Sequence, residues 1–207
     1  MKREHSPVHL GLILILGGTF LSLFISHHQD VIPGISPVMA IAFVGAMYLP
    51  RRWGWLAGPA VFLITNLAYL HRNYLTTGTM FSWGVLVPLA VYFTAAGLGM
   101  LISRRKSLFK VIGGSLGCSL LFYVAANTSA WWSCLTPQFP AGYAPTLAGL
   151  WQANTVGLPG YAPSWVFLRN GMAGDLFFVL LLLLVLDRDF LLGRDRAQAK
   201  TAAPRPV

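Results

Sequence analysis

Charged side chains are few in this 207-residue chain: Asp, Glu, Lys and Arg together make 10% of it, with six acidic residues against 15 basic ones. A water-soluble domain carries about a quarter charged residues to keep its surface in water, so a soluble globular fold is excluded. Cysteine is nearly absent as well. Cys118 sits inside an apolar run and Cys134 follows 16 residues later, roughly 24 Å along a helix and too far for a disulfide. No Cys/His spacing of the zinc type occurs, so no structural metal is expected. Gly-rich phosphate loops, an HExxH motif and paired catalytic carboxylates are also missing, so neither an enzyme nor a cofactor is expected. The alternating pattern of outer-membrane strands is absent, which argues against a β-barrel.

What remains is apolar: 56% of the residues are hydrophobic, and several runs approach the roughly 20 residues that a helix needs to cross a bilayer. The expected fold is all-α, a polytopic membrane protein of six transmembrane helices. The spans read at roughly 8–26, 35–50, 53–71, 81–103, 109–132 and 165–187. The second is short and begins at Ser36-Pro37, a capping residue followed by Pro in the first turn. Pro50-Arg51-Arg52 ends it with a tight return, and Pro88 is expected to kink the fourth span. The N-terminal stretch has a basic head and an apolar body like a signal peptide, but its apolar part is long and no small-x-small cleavage site follows. It reads as an uncleaved first span. Residues 1–190 form the membrane domain, and 191–207 form a polar, Ala-rich tail expected to be disordered and cytoplasmic.

The net charge of +9 would suggest nucleic acid in a soluble protein. Here the basic residues fall between apolar runs, so they report topology, and the partner is the lipid bilayer. With the N-terminus in the cytoplasm, 13 of the 15 basic residues are inside, and only Arg72 and Arg169 are outside. The positive-inside bias therefore puts both termini in the cytoplasm.

The last external connection, 131–165, holds five Pro, four Trp, two Tyr and no charged side chain. Leu147, Leu150, Trp151, Asn154 and Leu158 recur near helical spacing between Pro145 and the Gly157-Leu158-Pro159-Gly160 stop. This is a short external helix lying along the interface. Two readings stay open: an aromatic belt that only anchors the protein, or a lid over a pocket, in which case Trp131 and Trp151 touch a ligand.

Depth along the helices bears on that choice. At 1.5 Å per residue, Asn66 lies about 21 Å outward of Arg52, Asn127 about 25 Å outward of Lys110, and Asp175 about 15 Å inward of Trp165. Tyr69 and His71 cap the third span, Trp83 opens the fourth, and Arg169 and Asn170 stand above Asp175. Hydrogen-bonding groups thus gather in the outer half, which suggests a cavity open to the outside. Each Asn could equally serve an interhelical hydrogen bond, and Asp175 a structural ion pair with Arg169 or Arg72. The histidines of "HHQD" (27–30) point apart on a helix and read as a solvated loop. "GGSLG" (113–117) lacks a base at its depth and reads as helix packing. The glycosylation triplet Asn127-Thr128-Ser129 lies within a span.

"PGISPVMAIAFVGAMYLPRRWGWLAGPAVFLITNL" (33–67), "ANTSAWW" (126–132), "YAPTLAGL" (143–150) and "FLRNGMAGDLFF" (167–178) occur in that order. Together they resemble a family of uncharacterised bacterial membrane proteins, in which a Ser/Thr-Pro-Val segment precedes a small-residue span. That family in turn looks like the S components of energy-coupling factor (ECF) transporters, six-span proteins that capture vitamins or similar small molecules from outside. The resemblance implies a bacterial inner-membrane location, a small-molecule ligand, and a transmembrane coupling subunit with ATPases as partners. It also implies a ligand covered by the first external loop, the 72–82 loop and the 131–165 connection. Many S components carry Ala-x-x-x-Ala in the first span for that docking. Here the first span has only the small stripe Gly18, Ser22 and Ser26, while Ala42 and Ala46 show the spacing in the second, which puts coupling in doubt. The expected function is uptake-related binding of a flat, largely uncharged, vitamin-like molecule. The expected contact residues are Asn66, Tyr69, His71, Trp83, Asn127, Trp131, Trp151, Arg169, Asn170 and Asp175. The alternative is an integral membrane protein with a structural or protein-interaction role.

Overall fold

A backbone in hydrocarbon must satisfy its own hydrogen bonds, and a long apolar run does so as a helix. The computed structural model describes residues 7–28, 33–78, 80–135 and 142–193. Lys2, Arg3, Asp30 and the tail from 194 onward lie outside the described residues. Within them there are helices and no strand: α1 (Pro7–Ser26), α2 (Val38–Tyr48), α3 (Arg51–Thr65), α4 (Leu67–Thr77), α5 (Trp83–Ser103), α6 (Leu108–Ser133), α7 (Leu147–Ala153), α8 (Ser164–Leu186) and α9 (Arg188–Leu191).

Four helices, α1, α5, α6 and α8, are long and apolar enough to cross a membrane. The pair α3 and α4 adds a fifth candidate, bent by 62° at its break. That break falls inside the third expected span, at Thr65 and Asn66. Thr65 donates its hydroxyl to the carbonyls of Val61 and Phe62, and Asn66 Nδ2 donates to Phe62 O at 2.8 Å. Such local bonds compete with the helical ladder. The second expected span contains only the 11 residues of α2, about 16 Å of helix and shorter than a spanning helix requires. Pro37 and Pro50 flank it, so proline limits the helix at both ends. By contrast, α5 runs unbroken through Pro88.

Although short, α2 is the centre of the bundle. Every residue from Val38 to Met47 is buried, and α2 packs against α1, α3, α5, α6 and α8. Glycines make room for it. A Cβ on Gly99 of α5 would overlap the Phe43 carbonyl oxygen, and one on Gly58 of α3 would overlap Ala42. Gly54 lies against Ala46 in the same way, with a Cβ there only 3.0 Å from the Ala46 Cα. Small residues at such seams let backbones approach closely. Ala42 and Ala46, the pair with the docking spacing, are therefore consumed by internal packing and are not a surface stripe.

The exterior is apolar. Ile13, Leu16 and Phe20 of α1, and Phe177, Leu181 and Val185 of α8, are all exposed, as expected where lipid rather than water is the solvent. The two ends differ in chemistry. At one end stand Arg51, Arg52, Arg104, Arg105, Lys106, Lys110 and Arg188, where α3 and α6 begin and α5 and α8 finish. Lys106 Nζ lies 2.7 Å from Asp187 Oδ2, the one ion pair among the described residues, and Tyr48 donates its hydroxyl to the same oxygen at 2.9 Å. Burial pushes the Asp187 carboxyl up. The bonds from Lys106, Tyr48 and the Phe190 N–H, with the Lys106 charge, outweigh it and hold the group below its ordinary range. At the aromatic end, Asn170 Nδ2 donates to Pro33 O at 2.9 Å. Asn170 and Asp187 are 17 residues apart, about 25 Å of helix. Residues 33–48 thus run beside α8 for that whole distance, part extended and part helical.

A cleft between α2, α5, α6 and α8

The seven polar and aromatic positions of α6 and α8 that matter most follow helical spacing. On α6, Ser119, Phe122, Tyr123 and Asn127 lie three or four residues apart and share a face. On α8, Phe167, Gly171 and Asp175 recur every four residues. These two faces meet Ser36 and Met39 from the α2 region and Tyr92 from α5 around a cavity of about 220 Å³. The rim is open, since Phe167 is 41% exposed. The floor is closed, because Asp175 is 7% exposed and Ser119 is buried too.

Asp175 is the chemical centre of this cleft. Ser119 Oγ lies 2.6 Å from Asp175 Oδ2 and 3.0 Å from the Ser115 carbonyl. One hydroxyl proton can serve only one of these acceptors at a time. The other carboxylate oxygen, Oδ1, has no protein partner among the described residues. The ion pair weighed for Asp175 is not found there: Arg169 donates Nε to Asn170 Oδ1 and lies 5.6 Å from the Trp165 ring centroid, while Arg72 lies over Tyr69.

Of the ten expected contact residues, Asn127 and Asp175 line the cleft. Asn66 lines a second cavity of about 180 Å³ with Ser22, Ser26 and Thr65. The two cavities share Ser36 and Tyr92 as a common wall. Tyr69 and His71 are exposed on α4. Trp83 is exposed and lines an apolar groove with Leu121 and Trp132 on the flank of α5 and α6. Asn170 and Arg169 tie the start of α8 to Pro33 and Trp165.

The 131–165 connection is anchored at two described points. Trp131 Nε1 donates to Ala144 O at 2.9 Å, and Tyr123 donates its hydroxyl to Asn154 O at 2.6 Å. Residues 136–141 lie outside the described residues. Between the anchors, α7 turns Leu147 and Trp151 outward, with Trp151 73% exposed. Trp131 therefore acts as a clasp and Trp151 lies away from the cleft, while α7 itself packs on α6.

A family of unknown function, DUF6580, matches residues 2–188, nearly the whole chain. The chain belongs to the DUF6580 family. No curated protein and no solved structure matches it, so the chemistry of this DUF6580 protein has to be read from its own residues. Sequence reasoning missed Ser119, Tyr92, Phe122, Tyr123, Ser36 and Phe167. The signal for the α6 residues was the run 119, 122, 123, 126, 127 leading from a serine to the asparagine already singled out. Nothing along the chain marks Tyr92 or Ser36, which reach the DUF6580 cleft only through the packing of α2 and α5.

Proposed function

We propose that this DUF6580 protein binds a small molecule in the α2/α5/α6/α8 cleft, taking it from outside the cell, as S components of energy-coupling factor transporters do. The observation that carries the reading is the Asp175 carboxylate, buried, bonded to Ser119, and presenting a second oxygen to an open cavity. That oxygen meets no protein donor among the described residues and faces the cavity, where a bound molecule can partner it. A purely structural role would fill that space with side chains.

In this reading the chain crosses the bacterial inner membrane six times. The near-25 Å parallel run of residues 33–48 beside α8 supports the crossing by α2, and the bent α3–α4 pair supplies another. Positive residues mark the cytoplasmic end, so the cleft mouth near Phe167 faces outside and both termini are cytoplasmic. Capture at that mouth followed by rearrangement of the bundle would give uptake without covalent chemistry. Because Ala42 and Ala46 are internal, a coupling subunit with its ATPases would have to dock elsewhere, on the exposed apolar faces of α1 or α8.

The test is native mass spectrometry of the purified full-length chain. The wild type should carry a non-lipid adduct that Asn127→Ala weakens. If the protein is bare from several expression hosts and growth media, the binding reading fails.

A further inference from the structure

We infer that the cleft takes a small organic ammonium compound, with Asp175 as its counter-ion and the rings of Phe122, Tyr123 and Phe167 as its cage. The inference rests on the binding reading above and names the ligand class for it.

Three observations converge. First, among the described residues Asp175 is the one charged side chain lining the cleft, and its Oδ1 meets no donor from them. An anionic ligand would place two like charges together at low dielectric, and a neutral one would leave a buried carboxylate without its counter-charge. A cation supplies the counter-charge that this floor lacks, where the buried carboxyl would otherwise be neutralised by a proton. Second, no cation among the described residues pairs with Asp175. Arg169 is held over Trp165, Arg72 over Tyr69, and Lys106 pairs with Asp187 at the far end. Third, the walls are aromatic. Tyr92 and Phe122 stand with ring centroids 5.6 Å apart and planes 28° apart. Phe167 stands at the rim, and the Tyr123 hydroxyl is committed to Asn154 while its ring lines the cleft. Aromatic faces attract cations, and cages of them recognise quaternary ammonium groups.

Size narrows the class further. A cavity of about 220 Å³ is below the range of roughly 300–1,000 Å³ that holds drug-sized ligands. An ammonium head with a short chain fits that volume better than a multi-ring vitamin. The expectation of a largely uncharged ligand rests on aromatic residues and the scarcity of charge along the chain. The floor of the cleft carries the opposite message.

The experiment titrates the detergent-purified full-length chain with choline and tetramethylammonium, with 3,3-dimethylbutan-1-ol as the neutral shape-match of choline, and with 3,3-dimethylbutyrate as the anion. Calorimetry and thermal unfolding are read in parallel. Choline should bind and raise the unfolding midpoint, while the neutral and anionic probes should not. Choline affinity should fall roughly 10- to 100-fold in Asp175→Asn and roughly 2- to 30-fold in Phe167→Leu. Phe167 lies on the open rim, so this second variant keeps the test decisive where Asp175→Asn does not fold. Equal binding of 3,3-dimethylbutan-1-ol, undiminished affinity in Phe167→Leu, or no choline response in the wild type overturns the ammonium assignment. If a native adduct is nevertheless present by mass spectrometry, small-molecule binding stands with another ligand class. If the adduct is absent as well, both fall.

Discussion

Gly99→Ala should destabilise this protein although it adds a single methyl group. In water-soluble helices the exchange of Gly for Ala is favourable by about 0.8–1 kcal/mol, so the intrinsic expectation has the opposite sign. The structure reverses it. A Cβ at Gly99 would overlap the carbonyl oxygen of Phe43, which is backbone and cannot rotate away, and would also stand 3.4 Å from the Ala46 Cβ. The α2–α5 seam must open to accept the methyl, and α2 is also held by its close approach to Gly58 and Gly54 of α3. Overpacking of this kind is unfavourable by about 1–3 kcal/mol, or on the order of 2–12 °C in unfolding midpoint for a chain of this length. Gly117 is the control: on the same kind of apolar helix, a Cβ there meets nothing within 4 Å, so Gly117→Ala should be neutral or slightly stabilising. Thermal unfolding of both variants in one detergent reads the difference. Because α2 carries Met39 to the cleft wall, Gly99→Ala should also weaken adduct retention. Equal midpoints for Gly99→Ala and Gly117→Ala would refute the packing argument.

Other outcomes follow from particular contacts. Tyr123→Phe deletes the bond to Asn154 O and should loosen α7, seen as faster proteolysis of the 131–165 connection with little change in the bundle; unchanged proteolysis would mean that apolar packing alone holds α7. Trp151→Ala should leave ligand retention unchanged, since that ring faces away from the cleft, whereas Asn127→Ala should reduce it; the reverse order would restore the lid. The Asp187 carboxyl is held below its ordinary range, so its contribution to stability is fully present above the unfolded carboxylate pKa of about 4 and is lost as pH falls through the lower folded value. Acid unfolding of Asp187→Asn should lack that component, and superimposable pH curves would show that the Lys106–Asp187–Tyr48 cluster contributes nothing. Reporter fusions at residue 140 and at the C-terminus should report opposite sides of the membrane, and the same side for both would sink the six-crossing topology.

The length and apolarity of four helices were legible in the sequence because hydrocarbon leaves the backbone no alternative. The bounds expected for the spans ending near 26, 103, 132 and 187 agree with α1, α5, α6 and α8 to within about two residues. The short external helix was legible from its apolar spacing after Pro145, but it ends at Ala153, before the expected stop at 157–160; its start is capped by Thr146, which accepts from Gly149 N. What failed was the reading of 53–71 as one helix. It bends at Thr65 and Asn66, whose side chains bond the preceding carbonyls, while the same kind of bond at Thr94 and Asn127 leaves α5 and α6 unbroken. The second span, already short in the sequence, is shorter still as a helix: Pro37 and Pro50 flank α2, and residues 33–36 lie outside it.

The site was half legible, and the reason is geometric. The rise per residue fixes how deep a side chain lies, so Asn66 and Asn127 could be assigned to the outer third of the bundle and Asp175 to a level near its middle. Rise says nothing about azimuth. Asn127 and Asp175 sit on the faces of α6 and α8 that meet, and they share a cavity. Asn66 sits at the α3–α4 break on the far side of Tyr92, and it opens into another. Azimuth depends on which helices are neighbours, and that depends on the glycines that let α2 into the centre. Once α2 is there, α5 is held against α2 and α6, and Tyr92 becomes the wall between the two cavities. Its ring lies 5.2 Å from Phe62 on one side and 5.6 Å from Phe122 on the other. The residues that shape the cleft without being polar are therefore set by contacts between helices distant in sequence. A carboxylate within an apolar run announces itself in one dimension, whereas the aromatic cage around it exists only in three.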